Sequence, residues 1–333
     1  MSQTMRAVTL DGHGGVEVMK ISEVPRPAPK PTEVLVRVRA AALNRADTMQ
    51  RSGEYSAPPG ESEILGVELA GEVDSWGSEV TGFARGDKVF GLVGSGAYAE
   101  YCPIDAQMAI RMPEGWSFAE AVATPEVYFT ADTTVFELGE LKAGESILIH
   151  AAGSGVGSAA IQMARHAGAR VFCTVGSEEK ARRCLDFGAE AAINYKTHDF
   201  AEEIRRLTHG AGVDVIEDFV GVSYYERNIS ILKNGGRLIL VGILDERLTD
   251  RAPLDMLDCI MRRIQIKGSS MRPRPLSDKQ AISRKFERVW LPLLAEGKVK
   301  PVLDSVFPLE EVARAHERME ANLNFGKIVL TLD

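Results

Sequence analysis

The chain has 333 residues, with 39 Lys and Arg against 47 Asp and Glu, which gives a formal net charge of −8. This length predicts roughly two domains, and a composition of 45% apolar and 26% charged residues excludes a disordered chain. An acidic chain without a basic run argues against a dedicated nucleic-acid or anionic-membrane binder. No run approaches the ~18 apolar residues of a membrane span, and the first residues lack the apolar core of an export signal, so we expect a cytoplasmic protein.

The first third of the chain is rich in short strands. Residues 34–40 alternate in strand fashion, and residues 68–73 and 87–93 are two further short apolar runs with glycine-rich turns between them. Closely spaced strands of this kind predict a small barrel-like domain.

From Thr124 onward, apolar strands alternate with amphipathic helices. This pattern predicts an α/β domain whose parallel sheet carries helices on both faces. The expected strands are 146–150, 170–175, 191–195, 213–220, 237–241 and 265–271, and the expected helices between them are 156–167, 178–187, 200–208 and 224–232. After these come a charged helix at 279–295, a strand near 302–307, a helix near 309–319 and a closing strand at 327–330.

The four cysteines are scattered. They form no CxxC pair, which makes a disulfide framework or a Cys-rich zinc site improbable and fits a reducing compartment. Cys173 lies within the apolar run 171–175, so we expect it to be a small buried side chain.

A loop of small residues follows the strand that ends at His150. Residues without bulk let the backbone approach a pyrophosphate, and free N–H groups at a helix start face the anion. A strict GxGxxG is absent: if Gly157 is the third glycine, Ala152 and Ser154 stand at the first two positions. The loop therefore predicts a dinucleotide phosphate site, with a plain tight turn as the alternative. The expected binding residues are Ala152, Ser154, Gly155, Val156 and Gly157.

The tip of the next strand bears on the choice of cofactor. An NAD site usually has an acidic residue there, whereas this chain has Gly176 and Ser177. Lys180, one turn into the following helix, and Tyr195, at the end of the third strand, are expected to face a 2′-phosphate. The alternatives are a solvated surface lysine for Lys180 and a rim aromatic for Tyr195. The sequence therefore favours NADPH over NADH. Glu178 and Glu179 are the contrary evidence, unless they are only first-turn acids that suit the helix dipole.

Several motifs together resemble those of the medium-chain dehydrogenase/reductase superfamily. The β-rich start, the loop HAAGSGVGSAAIQ, the segments 44–47 (NRAD) and 50–55 (QRSGEY), and the closing GKIVL resemble its zinc-independent quinone oxidoreductase branch, over essentially the whole chain. The resemblance implies a GroES-like catalytic domain made of residues 1–123 and 274–333. It also implies a Rossmann NADPH-binding domain at 124–273.

The resemblance also bears on metal binding. Zinc enzymes of this superfamily have a Cys ligand where this chain has Asn44, and a Gly-His-Glu motif where it has Gly66-Val67-Glu68. Asn and Val supply neither the thiolate nor the imidazole that catalytic zinc requires, so we expect no metal. Oxidation of an alcohol is then disfavoured, and reduction of an electrophilic acceptor is favoured.

The candidate acceptor site comprises Asn44, Asp47 and Tyr55. Asn44 is expected to hydrogen-bond a carbonyl oxygen or a water, and Tyr55 to donate to the developing oxyanion or to stack on a planar ring. The alternatives are a turn residue for Asn44, a helix cap for Asp47 and a loop-packing aromatic for Tyr55. Many relatives have a Tyr where this chain has Met49, so the substrate range stays open.

The remaining expected cofactor contacts lie at strand ends and turns, where each residue is otherwise a simple turn residue. By resemblance, Thr130 and the group Ser270, Met271 and Arg272 lie near the nicotinamide. Asn324, Gly326 and Lys327 are expected near the adenosine phosphates. Gly221, Val241 and Gly242 follow strands of an open α/β sheet, at the edge where ligands bind.

Three functions stay open at this point. They are an NADPH-dependent quinone reductase, a reductase of enone or 2-enoyl thioester double bonds, and a non-catalytic NADPH-binding protein with crystallin-like or RNA-binding use. The expected partner is a small-molecule acceptor, with neither nucleic acid nor membrane. The edge strand 265–271 must be paired or covered, which predicts a homodimer through that strand.

Overall fold

The computed structural model describes residues 3–245 and 255–332. The chain divides into two compact units. The first unit combines the residues up to Glu126 with those from Arg272 onward, and the second unit runs from Val127 to Met271.

The elements alternate as a mixed α/β chain. In chain order, the strands are β1 (Thr4–Leu10), β2 (Met19–Pro25), β3 (Glu33–Ala42), β4 (Glu68–Trp76), β5 (Lys88–Leu92), β6 (Tyr101–Asp105), β7 (Ile110–Arg111), β8 (Ser146–Ile149), β9 (Arg170–Val175), β10 (Ala191–Asn194), β11 (Val213–Asp218), β12 (Leu232–Leu240), β13 (Gln265–Gly268), β14 (Leu303–Pro308) and β15 (Lys327–Thr331). The α-helices are α1 (Arg45–Ser52), α2 (Phe118–Val122), α3 (Pro125–Ala131), α4 (Gly155–His166), α5 (Glu178–Asp186), α6 (Phe200–Leu207), α7 (Val222–Ile231), α8 (Met256–Arg262), α9 (Leu276–Ala295) and α10 (Val312–Glu320). Short 3-10 turns lie at Val16–Val18 and Leu309–Glu311, and α3 continues as a π-helix over Asp132–Leu138.

The first unit is built on a mixed sheet of seven strands in the order β14-β15-β3-β4-β5-β7, with β6 also paired to β3. The closing strand β15 lies between β14 and β3, parallel to the former and antiparallel to the latter. This insertion brings the last residues of the chain against β3, and β4 pairs with β3 on its other side.

The second unit contains a parallel sheet in the order β10-β9-β8-β11-β12-β13. Helices cover buried strands such as β8, whose four residues are all buried. The strand order reverses between β8 and β11, and in open sheets of this kind ligands bind at the carboxyl ends of the strands on either side of such a reversal. The predicted combination of a GroES-like β-rich part and a Rossmann sheet is confirmed.

Some local predictions needed correction. The edge strand β13 ends at Gly268, so residues 269–271 lie beyond it rather than within it. The sequence did not indicate the π-helix, and it missed α8 altogether. Cys173 on β9 is fully buried, as expected. Among the described residues, no helix is both long and apolar enough to cross a membrane.

Candidate functional site

The small-residue loop of the second unit leads from β8 into α4. Ser154 caps the helix, with its Oγ accepting a hydrogen bond from Gly157 N at 3.0 Å. Gly157 is required by packing, because a Cβ there would lie 2.6 Å from Ala152 Cα. Ala152 and Gly157 are buried, whereas Ser154, Gly155 and Val156 are only half-buried. First-turn N–H groups have no intrahelical acceptor, so this helix start can hold an anion such as a pyrophosphate.

The tip of β9 faces an aromatic residue from the end of β10. A Cβ built on Gly176 would lie 2.7 Å from Tyr195 Oη, so any larger residue at 176 collides with the tyrosine where it stands. Ser177 caps α5 by accepting a hydrogen bond from Lys180 N at 3.2 Å. An acidic side chain at position 176 is therefore sterically excluded while Tyr195 keeps this position.

The acidic residue nearest this tip has a partner within the second unit. Glu178 Oε1 accepts a hydrogen bond from Asn194 Nδ2 at 2.8 Å. Asn194 Oδ1 in turn accepts from Lys196 N at 3.1 Å. One amide side chain therefore holds the acid of α5 and the backbone that follows β10. Glu179 is exposed.

The ends of β11 and β12 are held by a buried polar chain. Asp218 Oδ1 accepts from Gly221 N at 3.3 Å, and Gly221 needs its φ of +105° to start α7. Asp218 Oδ2 accepts from Asn228 Nδ2 at 3.1 Å, and Asn228 Oδ1 lies 2.8 Å from His150 Nε2. Burial lowers the pKa of His150, which keeps the imidazole neutral in this chain. The neighbouring Val241 and Gly242 directly follow β12 and are half-buried.

Thr130 is almost fully buried at the end of α3, just before the π-helix. Thr134 on that π-helix donates its hydroxyl to Thr130 O at 2.9 Å, and its Oγ1 lies 2.5 Å from Glu217 Oε1. Burial raises the pKa of Glu217 to about 8. A neutral carboxyl group on β11 therefore fixes the backbone that carries Thr130.

In the first unit, a buried polar cluster forms where α1 starts. Asp47 is buried, and its carboxylate accepts from Asn44 N at 2.8 Å, from Gly66 N at 3.2 Å and from Tyr98 Oη at 3.2 Å. Burial raises the pKa of Asp47 to about 6, against the opposing effect of these hydrogen bonds and of the Lys327 charge. The capping role is present, since Asp47 is the third residue of the helix and accepts from Asn44 N.

A buried ion pair completes this cluster. Lys327 Nζ donates to Glu68 Oε1 at 2.5 Å, to Asn44 Oδ1 at 2.7 Å and to Leu43 O at 2.7 Å. Asn44 Nδ2 donates to the same Glu68 oxygen at 2.8 Å, and Glu68 Oε2 accepts from Glu126 N at 2.9 Å. Asn44 is therefore held in one orientation by Glu68 and Lys327.

The turn before β15, which we expected near the adenosine phosphates, has its polar groups engaged within the first unit. The ammonium of Lys327 is buried and already uses its three protons, so none is left for a phosphate. Gly326 packs against Val302, where a Cβ would lie 2.3 Å from the carbonyl oxygen. Asn324 Nδ2 bonds Gly326 O at 2.9 Å and closes the turn. Lys327 thus belongs to the cluster around Asn44, where the sequence analysis did not place it.

Tyr55 lies apart from this cluster and is paired with Arg272. The Arg272 guanidinium carbon lies 5.2 Å from the centre of the Tyr55 ring. Arg272 is 9% exposed and donates to Gln50 Oε1 at 2.7 Å and to Gly94 O at 3.0 Å. Its Nη1 is buried without a hydrogen-bond partner among the described residues. The predicted neighbours Ser270 and Met271 are exposed and half-buried respectively.

Met49 is the α1 residue at which the sequence analysis noted a departure from the family pattern. It is half-buried on α1, and its carbonyl oxygen accepts the amides of Glu54 at 2.9 Å and Tyr55 at 3.1 Å. This residue therefore helps to fix the backbone on which Tyr55 stands.

The side chains around Asn44 do not fit a zinc ion. The nearby oxygens of Asn44 and Glu68 already surround a cation, the ammonium of Lys327. Val67 offers no ligand atom, and the described residues contain no group of three or more His, Cys, Asp or Glu that could hold a metal. The sequence analysis did not predict the pairing of Lys327 with Glu68, because the two residues are 259 positions apart in the chain.

Comparison with known proteins shows that the chain is similar to alcohol dehydrogenases and quinone oxidoreductases. Two family models match the chain, an alcohol dehydrogenase GroES-like domain over residues 30–114 and a zinc-binding dehydrogenase domain over residues 155–287. A quinone oxidoreductase of Rattus norvegicus is 34% identical over 331 residues, which cover 98% of each chain. Among solved structures, an NAD-dependent alcohol dehydrogenase is 36% identical with a TM-score of 0.87, covering 99% of this chain and 100% of that one. The Escherichia coli quinone oxidoreductase complexed with NADPH is 28% identical with a TM-score of 0.86, covering 98% and 100%.

Proposed function

The chain belongs to the quinone oxidoreductase branch of the medium-chain dehydrogenase/reductase superfamily, and on that premise we propose that it reduces quinones with NADPH and without a metal ion. The observation that carries the proposal is the ammonium of Lys327 between Asn44 and Glu68. Without a Lewis acid, an alcohol is a poor hydride donor, whereas a quinone accepts hydride readily because its product is aromatic.

The tip of β9 supports NADPH rather than NADH. Gly176 leaves room for Tyr195 Oη, and no acidic side chain stands at 176 or 177. Lys180 lies in the first turn of α5, the helix that begins after this tip, and we assign it to the 2′-phosphate. The structural relatives named above include an NAD-dependent alcohol dehydrogenase and a quinone oxidoreductase complexed with NADPH. The structural likeness therefore does not choose between the two cofactors, and the residues at this strand tip favour NADPH.

We assign the acceptor to the part of the first unit that carries Tyr55. When bound, the nicotinamide supplies a hydride to the acceptor. Tyr55 donates its hydroxyl to the oxygen that gains negative charge, and the Arg272 guanidinium beside its ring holds the tyrosine by a cation–π contact. Asn44 and Asp47 are not expected to contact the acceptor through their polar atoms, because these are already engaged with Glu68, Lys327 and Tyr98.

The second unit also supports a homodimer. Strand β13 pairs with β12 on one side, and its other edge has no partner strand in the described chain. Neighbouring helix α8 exposes four large apolar side chains, Met256, Leu257, Ile260 and Met261, each between 67% and 69% exposed. A second copy that pairs its own β13 would cover both features. Light scattering is expected to give twice the chain mass, and Ile260→Asp is expected to halve it.

One experiment tests the function directly. Oxidation of NADPH is followed with an ortho-quinone, a para-quinone, an enone and a crotonyl thioester, in parallel with NADH as the donor. We expect the highest kcat/KM for a quinone with NADPH, and elemental analysis is expected to find no stoichiometric zinc. A clear preference for the enone or the thioester would assign the protein to double-bond reduction instead. Tight NADPH binding without turnover of any acceptor would indicate a non-catalytic protein.

A further inference from the structure

A second lysine lies beside the tip of β9. Lys196 follows Tyr195 directly, and its Cε lies 3.5 Å from the position of a Cβ on Gly176. Tyr195 Oη lies 2.7 Å from the same position. The hydroxyl and the end of the lysine side chain therefore converge on the one glycine at this strand tip.

The ammonium of Lys196 is not used elsewhere. The side chain is exposed, and within residues 3–245 and 255–332 its Nζ makes no hydrogen bond or ion pair. The nearest acid of α5, Glu178, is bonded by Asn194 instead. Asn194 Oδ1 also accepts from Lys196 N at 3.1 Å, which fixes the backbone from which this side chain extends. Lys196 therefore has a fixed backbone and an unpaired ammonium next to Gly176, and both are properties expected of a residue that binds an anion.

We propose that Lys196 is a specificity-determining residue that binds the 2′-phosphate of NADPH together with Tyr195. A phosphomonoester carries a charge of about −1.5 to −2 at neutral pH and accepts several hydrogen bonds, so one lysine leaves part of it unpaired. Lys196 extends from the loop after β10, whereas Lys180 belongs to α5, the helix that begins two residues after Gly176. The inference rests on the NADPH preference proposed above and assigns that preference to a residue outside the predicted binding set.

Direct binding of nucleotide fragments to the full chain tests this assignment. Calorimetric titration with 2′,5′-ADP and with 5′-AMP, in buffer without phosphate, separates the contribution of the 2′-phosphate from that of the adenosine. Lys196→Gln is expected to weaken 2′,5′-ADP binding about five- to tenfold and to change 5′-AMP binding less than about twofold. Lys196→Arg is expected to retain most of the affinity, and added salt is expected to shrink the difference between wild type and Lys196→Gln.

The matched control is Lys142→Gln. Lys142 is also an exposed lysine of the second unit, but it precedes β8 and so lies at the opposite edge of the parallel sheet. This variant is expected to bind both fragments as the wild type does. Retained 5′-AMP binding shows that Lys196→Gln is folded.

Two results would overturn the proposal, and they have different meanings. If the wild type binds 2′,5′-ADP more tightly than 5′-AMP and Lys196→Gln binds it equally well, Lys196 has no role and the NADPH preference stands. If the wild type does not distinguish the two fragments, the 2′-phosphate site itself is absent and the proposed cofactor fails with it. Neither result depends on the acceptor, because no acceptor is present.

Discussion

The buried ion pair between Lys327 and Glu68 gives the sharpest test of the first unit. Lys327→Met removes three hydrogen bonds and leaves Glu68 Oε1 with Asn44 Nδ2 as its remaining partner. Glu68→Gln removes the carboxylate to which Lys327 Nζ donates, so the buried ammonium loses its hydrogen-bonded counter-ion and keeps only the charge of Asp47, with which it makes no ion pair. Each variant therefore leaves one charge in the core without its direct ion-pair partner.

The size of the effect follows from that burial. Breaking a buried pair by removing one partner costs about 3–5 kcal/mol, since the remaining charge stays out of water. The double variant Lys327→Met/Glu68→Gln removes both charges, so its loss is expected to be smaller than the sum of the single losses by at least ~2 kcal/mol. The exposed pair of Lys20 and Asp11 is the control, and Lys20→Met is expected to leave the unfolding midpoint unchanged.

Tryptophan fluorescence makes the measurement specific. The three tryptophans of the chain, Trp76, Trp116 and Trp290, all belong to the first unit, so urea unfolding followed by their emission reports that unit. Strict additivity of the two single variants would refute the reasoning, because it would mean that the two charges do not interact. A double variant less stable than either single variant would show that packing, rather than charge, dominates at this position.

Three further outcomes follow from the site geometry. Lys180→Glu is expected to raise the KM for NADPH about tenfold or more and the KM for NADH less than about twofold, and steady-state kinetics with equal effects on both would remove the phosphate contact. Tyr55→Phe is expected to lower kcat at least about tenfold while the Kd for NADPH stays constant, and an unchanged kcat would show that the phenol has no chemical role. The pKa of Glu217 is raised to about 8 in the folded protein, so its contribution to stability is fully present below the unfolded pKa near 4.5 and is lost as the pH rises through 8. Hydrogen exchange of β8 and β11 amides between pH 5 and 9 is expected to show this loss in the wild type and a flatter profile in Glu217→Gln, and identical profiles would contradict the assignment.

Much of the second unit could be predicted from the sequence because its strands are local apolar runs. The predicted strand at 170–175 has the same bounds as β9, and the predicted helix at 178–187 differs from α5 by one residue. Burial on both faces of a parallel sheet requires continuous apolar stretches, and these can be recognised without knowing their partners. The loop at Gly157 was recognisable for the same reason, since its small residues are adjacent in the chain.

The site in the first unit could be predicted only in part, because its contacts are long-range. Asn44 and Asp47 were identified from a local motif. The hydroxyl of Tyr98 reaches Asp47 from 51 residues away, and the ammonium of Lys327 reaches Glu68 from 259 residues away. No periodicity or spacing encodes such pairs, and the phosphate contact expected of Lys327 rested on the resemblance alone. The contacts of Lys327 therefore follow from the position of β15 in the sheet.

The position of β15 also has a consequence for synthesis of the protein. The second unit is one continuous stretch, Val127–Met271, and every strand of its sheet has emerged before the chain reaches α9. The sheet of the first unit is complete only when residues 327–331 have been made, because they form β15 and insert between β14, made shortly before, and β3, made near the start. Until then residues 40–42 of β3 lack a partner on one edge, where β6 pairs only with residues 33–37, and the buried carboxylate of Glu68 lacks the ammonium of Lys327. A chain released late in synthesis, before β15 is made, would therefore contain a folded second unit and a first-unit sheet with unpaired strand edges, which favour aggregation.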